Sequence, residues 1–309
     1  MCIRDSNNIT GDGAEQLSAA VLGNLKIEMF NNIPIKEMRT NSLTELDLNG
    51  KGVGVEGGMV VVGLIPVMGA LTSVDLSGNL LTDHGRDMTG IKELAAALGV
   101  NGGLTSLNLS SNDIGGYWDG QEKTLVLTPE GPKAIADALL VNGALTKLSL
   151  AENNLGEEGT KAICEALEKN ETLKELDLRG DYPSFNNIGG AAGVKHVAKM
   201  LGVNGELTAL DLSSNDLKDE GVSAVCKAIQ SNKETKLASL NFNDNGIGPG
   251  GANAVAAMVA VTGGLTSVDL SRNDLTDRGR DMTGIKELAA ALGVNSSLTE
   301  VPLNSSPRV

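Results

Sequence analysis

Few residues in this sequence could do chemistry, and their spacing argues against most of it. Gly52-Val53-Gly54-Val55-Glu56-Gly57 matches the G-x-G-x-x-G pattern in which a strand-to-helix turn cradles a pyrophosphate. The corresponding turns elsewhere are equally glycine-rich, at Gly156 and Gly159 and at Gly246, Gly248, Gly250 and Gly251. Glycine there reads as a turn requirement rather than a nucleotide site. Cys164 and Cys226 occupy one slot of a repeating unit, and Ala256 fills the same slot in another copy. That slot takes a small buried residue, which a free thiol suits. His84 and His196 have no cysteine or histidine at ligand spacing and no Ser/His/Asp grouping around them. These readings imply no catalytic residue, no metal, no cofactor and no small-molecule substrate.

The elements that would position any site come from a repeat. One phrase starts at Leu43, Leu71, Leu104, Leu145, Leu173, Leu207, Leu237, Leu265 and Leu298, with LTELDL, LTSVDL and LTSLNL as its first three versions. The shortest offset is 28 residues and occurs three times; the longer offsets read as that unit with insertions. Apolar positions 1, 4 and 6 predict a short strand with alternate residues inward. Position 9 is Asn79, Asn112, Asn153, Asn215, Asn245 and Asn273, with Asn186 expected to take the slot after an insertion. A buried amide there can satisfy the backbone of adjoining turns. An amphipathic helix follows, such as Thr160 to Lys169. Asn170, Asn101, Asn142, Asn204, Asn232 and Asn295 then read as left-handed helix stops. One block is nearly duplicated: Gly69 to Ser106 and Gly263 to Glu300 share 31 of 38 positions.

The phrase resembles the leucine-rich repeat family, in its long ribonuclease-inhibitor-like class. The resemblance implies an α/β fold, a right-handed leucine-rich-repeat solenoid or horseshoe, with parallel strands on the concave face and helices on the convex face. Strands stack about 4.8 Å apart and helices about 8–10 Å, so such a stack must curve. The expected organisation is a single solenoid over residues 7–304 of nine to ten repeats, with non-repeat segments at 1–6 and 305–309. Pro302 lies inside the last strand phrase, where it removes a ladder donor. Neither end shows an obvious polar cap, which reads as a piece of a longer protein or an array capped by a partner.

Two features could bind a partner. The strand residue between the second and third apolar positions faces the concave surface and is Asp47, Asp75, Asp177, Asp211 and Asp269 in five copies. With Glu45 and Glu175 from the preceding exposed column, these make an acidic trough suited to a basic protein surface. Aromatics are scarce, at 2% of the chain, so their clustering in insertions is informative. Tyr117 and Trp118 lie in an insertion at about 115–128, and Tyr182 and Phe185 in another at 180–185. Interface hot spots favour such residues, which makes the strand-to-helix rim the second candidate surface. Phe242 instead takes a core position of its repeat.

Composition agrees. Lys and Arg number 25 against 39 Asp and Glu, a net charge of −14 that argues against nucleic acid as a partner. No apolar run approaches a membrane span, and the N-terminus does not read as a signal peptide, so a cytoplasmic or nuclear setting is expected. The sequence reading is a non-catalytic protein-protein interaction scaffold. Two alternatives stay open: a GTPase-activating protein, since similar repeats occur in the Ran GTPase-activating family, and the sensing repeat region of a larger nucleotide-binding leucine-rich-repeat receptor.

Overall fold

The computed structural model describes residues 9–119, 121–180 and 186–304. The chain divides into two compact units, Met1–Leu155 and Gly156–Val309. The first begins with α1 (Gly11–Gly23) and the short α2 (Ile35–Arg39). Strand and helix then alternate as β1 (Glu45–Asp47), α3 (Gly54–Leu64), β2 (Ser73–Asp75), α4 (Thr89–Val100) and β3 (Ser106–Asn108). A ribbon of β4 (Gly116–Asp119) and β5 (Thr124–Leu127) comes before α5 (Glu130–Val141) and β6 (Lys147–Ser149). β1, β2, β3 and β6 pair in parallel, with Leu46, Val74, Leu107 and Leu148 in register.

The second unit repeats the plan with α6 (Gly156–Leu167), β7 (Glu175–Asp177), α7 (Gly190–Leu201), β8 (Ala209–Asp211) and α8 (Lys218–Ser231). It continues with β9 (Ser239–Asn241), α9 (Pro249–Val259), β10 (Ser267–Asp269) and α10 (Thr283–Val294). β7 to β10 are parallel neighbours in chain order, with Leu176, Leu210, Leu240 and Val268 in register. Beyond β10, Glu300 forms only an isolated bridge to Ser267. The Pro302 carbonyl still accepts from Leu270 N at 2.9 Å.

Each unit is an α/β stack of strand–helix repeats whose core lies between the sheet and its helices. Leu104, Leu107 and Leu109, the three apolar positions of one phrase, are at most 1% exposed. They lie in a core with helix residues such as Ile91, Leu94, Ile135 and Leu139, all buried. Burying each such side chain contributes about 1.5–3 kcal/mol. The Phe242 ring is fully buried at its core position. Helix α6 begins at Gly156 rather than Thr160, because Gly156 adopts φ +64° and turns the chain directly into the helix.

Two asparagine columns tie neighbouring repeats together. In the first, Asn112 Nδ2 donates to the carbonyls of Leu76 (2.9 Å), Leu109 (3.1 Å) and Ser110 (3.0 Å). Its Oδ1 accepts from Asn79 N (3.1 Å) and Leu81 N (3.2 Å). Asn79, Asn153, Asn215 and Asn245 repeat the pattern and are fully buried. After the insertion the slot belongs to Asn187, not Asn186: Asn187 Nδ2 reaches Leu178 O at 3.1 Å, and its N–H donates to Asn215 Oδ1 at 3.0 Å. Asn186 Oδ1 is buried and has no partner among the described residues.

The second column corrects the expected left-handed stops. Asn101, Asn142, Asn232 and Asn295 have extended backbone, with φ between −74° and −83°. They end the helices through their side chains. Asn142 Oδ1 accepts from Ala144 N (3.0 Å) and Leu145 N (2.7 Å), while its Nδ2 donates to Leu98 O at the end of the preceding helix (2.7 Å). The amide adds a donor to a last-turn carbonyl of the preceding helix and folds the chain back into the next strand.

At residues 25–40, which the sequence leaves irregular, Arg39 donates to the carbonyls of Val21, Leu22 and Ile27 at 3.0–3.1 Å, capping α1. Asn31 Nδ2 reaches Glu56 Oε1 (2.9 Å) and Asn32 Nδ2 reaches Lys51 O (2.8 Å), fastening the stretch to the β1–α3 turn.

In the second unit Glu206 is held between Lys174 and Lys236, and hydrogen bonds from both, Lys174 first, lower its carboxyl to about 2. A depressed folded-state pKa stabilises above the unfolded value and is lost as pH falls through the folded one. These side chains reach solvent, so the contribution is at most about 1 kcal/mol. Thermal melts of Glu206→Gln should therefore fall slightly below the parent at pH 6 and converge with it near pH 2.

Candidate functional site

The acidic columns sit where the alternation puts them, on the face of the sheet away from the helices. Glu45 and Asp47 are exposed, and Asp75, Glu175, Asp177, Asp211 and Asp269 are half-buried. The columns fall in both units: Glu45, Asp47 and Asp75 in the first, the others in the second. Each Asp also ends its strand. Its Oδ1 accepts the backbone N–H two residues on: Asn49 for Asp47, Ser77 for Asp75, Arg179 for Asp177, Ser213 for Asp211 and Ser271 for Asp269, all at 2.8–2.9 Å. Hydroxyls and amides of adjoining positions join in. Ser213 Oγ donates to Asp211 Oδ1 (2.6 Å), and Asn241 Nδ2 donates to Asp211 Oδ2 (2.8 Å). In the first unit Asn108 Nδ2 donates to Asp75 Oδ2 (2.9 Å). Burial nevertheless holds the Asp211 carboxyl above the ordinary range, and nearby Asp177 adds to it.

In the second unit Asp211, Asn241 and Asp269 line a polar cavity of about 490 Å³ together with Arg179 and Arg272. The sequence reading missed both arginines. Their signal was available in the two positions after the third apolar residue, where most copies carry Ser, Asn or Gly.

The insertion after β3 is an antiparallel ribbon pairing Trp118 with Leu125 and Gly116 with Leu127. Alternation puts these four on one side. Trp118 is 64% exposed and Leu127 is 48% exposed, so this side offers an apolar face to solvent. Tyr117 points the other way and is half-buried, with the Arg86 guanidinium carbon 5.2 Å from its ring centre. Tyr117 thus packs against Arg86 while Trp118 faces solvent. Leu125 and Leu127 were missed; alternation in Thr124–Leu127 opposite Gly116–Asp119 could have revealed them. Tyr182 and Phe185 lie outside the described residues. Arg86→Ala should remove a cation–π contact worth about 0.5–1 kcal/mol. Hydrogen exchange should then speed up in the ribbon amides and stay unchanged in β2 and β3.

The residues with chemical potential are buried or engaged elsewhere. Cys164 and Cys226 are buried free thiols. Burial raises the Cys226 thiol to about 12, and burial with the nearby Glu168 and Glu165 carboxylates raises Cys164 further. His84 Nδ1 lies 3.7 Å from Asp113 and His196 Nε2 lies 3.7 Å from Glu157. Among the described residues no group of three or more His, Cys, Asp or Glu could hold a metal ion, and no helix is long and apolar enough to cross a membrane. In the Gly52–Gly57 turn, a Cβ on Gly57 would fall 2.8 Å from Val53 Cγ1 and 3.1 Å from Ile33 Cδ1, so this glycine serves packing.

The Leucine Rich repeat family matches residues 104–116, 144–164, 206–226, 233–256 and 265–282. A ribonuclease inhibitor from Sus scrofa is 29% identical over 269 residues, covering 78% of this chain and 54% of that protein. One from Mus musculus is 30% identical over 216 residues, covering 64% of this chain and 46% of that protein. The NACHT, LRR and PYD domains-containing protein 12 of Mus musculus is 30% identical over 216 residues, covering 62% of this chain and 19% of that protein. The chain spans about half the length of the ribonuclease inhibitors it matches and a smaller share of the NACHT relative. With the repeated strand–helix unit and the asparagine ladder, these matches identify the chain as a leucine-rich-repeat protein of the ribonuclease-inhibitor-like class.

Proposed function

We propose that this chain is a protein-interaction scaffold that does no chemistry of its own and binds its partner through the ribbon and the acidic strand faces. The observation that carries the reading is the ribbon: an exposed Trp118 beside Leu125 and Leu127, on strands tied to the repeat through Tyr117 and Arg86. An apolar aromatic face costs solubility unless something covers it, and such faces mark interaction sites. The net charge of −14 favours a partner with a basic surface, drawn in at a rate that falls with salt. The proposed partner excludes nucleic acid and membrane.

The test is parallel capture from lysate by the parent chain and by a Trp118→Ala, Leu127→Ser variant, at low and moderate salt, with ribonuclease as the first purified probe because two relatives are named for inhibiting it. A protein held by the parent and released by the variant supports the ribbon. Equal retention by both removes it. The relatives with NACHT, LRR and PYD domains favour one elaboration, in which this array is the sensing region of a larger receptor.

A further inference from the structure

The ribbon has edges as well as faces, and its hydrogen-bond alternation fixes which residues each edge presents. Thr128 N donates to Gly115 O at 2.8 Å, so these two form a bonded pair at the base of the ribbon. In an antiparallel ladder bonded pairs alternate with unbonded ones. The register then makes Tyr117 with Val126 and Asp119 with Thr124 the bonded pairs. At Gly116, Trp118, Leu125 and Leu127 the backbone N–H and C=O point outward instead. The Gly116 carbonyl agrees: it accepts from Asn154 Nδ2 at 3.2 Å, outside the ribbon.

The two edges differ. β4 lies against the following repeat, through that bond and through Gly115, where a Cβ would fall 2.5 Å from Asn154 O. β5 pairs with β4 alone, and among the described residues no backbone group outside the ribbon bonds that of Leu125 or Leu127. The outward groups of β5 thus belong to the residues whose side chains, with Trp118, form the apolar face. Proteins blunt such edges with charge, proline or a bulge. Thr124–Leu127 carries no charge and no proline, and its register with β4 is unbroken.

We propose that β5 is where a partner adds a strand: an extended segment with apolar residues at alternate positions and lysine or arginine at its ends. This rests on the reading of the ribbon as the interaction surface and specifies what that surface takes. A residue laid opposite Leu125 or Leu127 shares their face. Apolar residues at those positions widen the Trp118 strip while the backbones pair. Charge decides the occupant. Asp119 and Glu122 outnumber Lys123 at the ribbon's tip, Glu130 follows its base, and the chain carries −14. A second copy of the chain would bring the same surplus and be repelled, whereas a basic segment is drawn in.

The probe is a synthetic peptide of alternating valine and threonine with a lysine at each end, used unmodified, N-methylated at the valines, or N-methylated at the threonines. Only alternate N–H groups of an added strand face the edge. One methylated form should therefore bind at least about tenfold more weakly, and the other within about twofold of the unmodified peptide. With the unmodified peptide bound, exchange at the Leu125 and Leu127 amides should slow by about tenfold or more, while Val126, already paired with Tyr117, changes little. No binding of the unmodified peptide, or equal affinity of the two methylated forms, overturns the proposal. So does protection of Leu125 and Leu127 that rises with the concentration of the chain alone, since the occupant is then a second copy. Binding lost in the Trp118→Ala, Leu127→Ser variant but indifferent to both methylations overturns the added strand alone and leaves the ribbon's side-chain face as the interaction surface.

Discussion

Asn112→Ala is expected to destabilise the first unit by about 3–5 kcal/mol, since it strands several buried backbone groups at once. The side chain makes five hydrogen bonds, three as donor and two as acceptor, and is fully buried. Water cannot replace them without opening the stack. Any one of these bonds is worth about 1 kcal/mol net, but an unsatisfied buried donor or acceptor costs its whole desolvation. Asn273→Ala is the comparison. Its amide donates to Phe242, Leu270 and Ser271 carbonyls at 2.9–3.1 Å, but the residue is only half-buried, so water recovers part of the loss. Denaturant titrations should show the midpoint falling more for Asn112→Ala than for Asn273→Ala. Equal losses would mean that the ladder's strength lies in local turn geometry rather than in burial.

Trp118→Ala is expected to weaken partner binding by about 2 kcal/mol or more, roughly thirtyfold, while changing stability by no more than about 0.5 kcal/mol. The ring is 64% exposed, so removing it opens no cavity. Tyr117, on the other side of the ribbon, should behave differently. Its replacement by alanine removes the contacts with Gly85 and Arg86 and should loosen the ribbon as well as weaken binding. Titration calorimetry with the captured partner, alongside melts of both variants, separates display from anchoring.

The repeating leucines and the first asparagine column were legible because each strand buries alternate residues, and a carboxamide donates through its nitrogen and accepts through its oxygen inside the turn. The column residue after the insertion was expected at Asn186, but the slot falls one position later, at Asn187, whose N–H donates to Asn215 Oδ1 and whose Nδ2 reaches Leu178 O. Asn142 and its counterparts were recognised as helix ends but given the wrong geometry. A left-handed backbone and a side-chain cap predict the same residue type, and only coordinates separate them. The acidic columns were placed on the correct face, yet their hydrogen bonds to the strand ends were not foreseen, although an Asp two residues before Ser or Asn is a recognisable turn pattern. Trp118 and Tyr117 drew notice through rarity. Their opposite orientations became apparent only from the pairing with Leu125 and Val126.

The central claim is that this repeat array binds a protein through surfaces the ribbon and the strands present. The most direct measurement is the dissociation constant of the captured partner for the parent chain and for Trp118→Ala, Leu127→Ser at two salt concentrations. The account predicts a tight parent complex that weakens with salt and a variant at least about thirtyfold weaker with an unchanged melting temperature. A variant that binds as tightly as the parent, with salt making no difference to either, would contradict it.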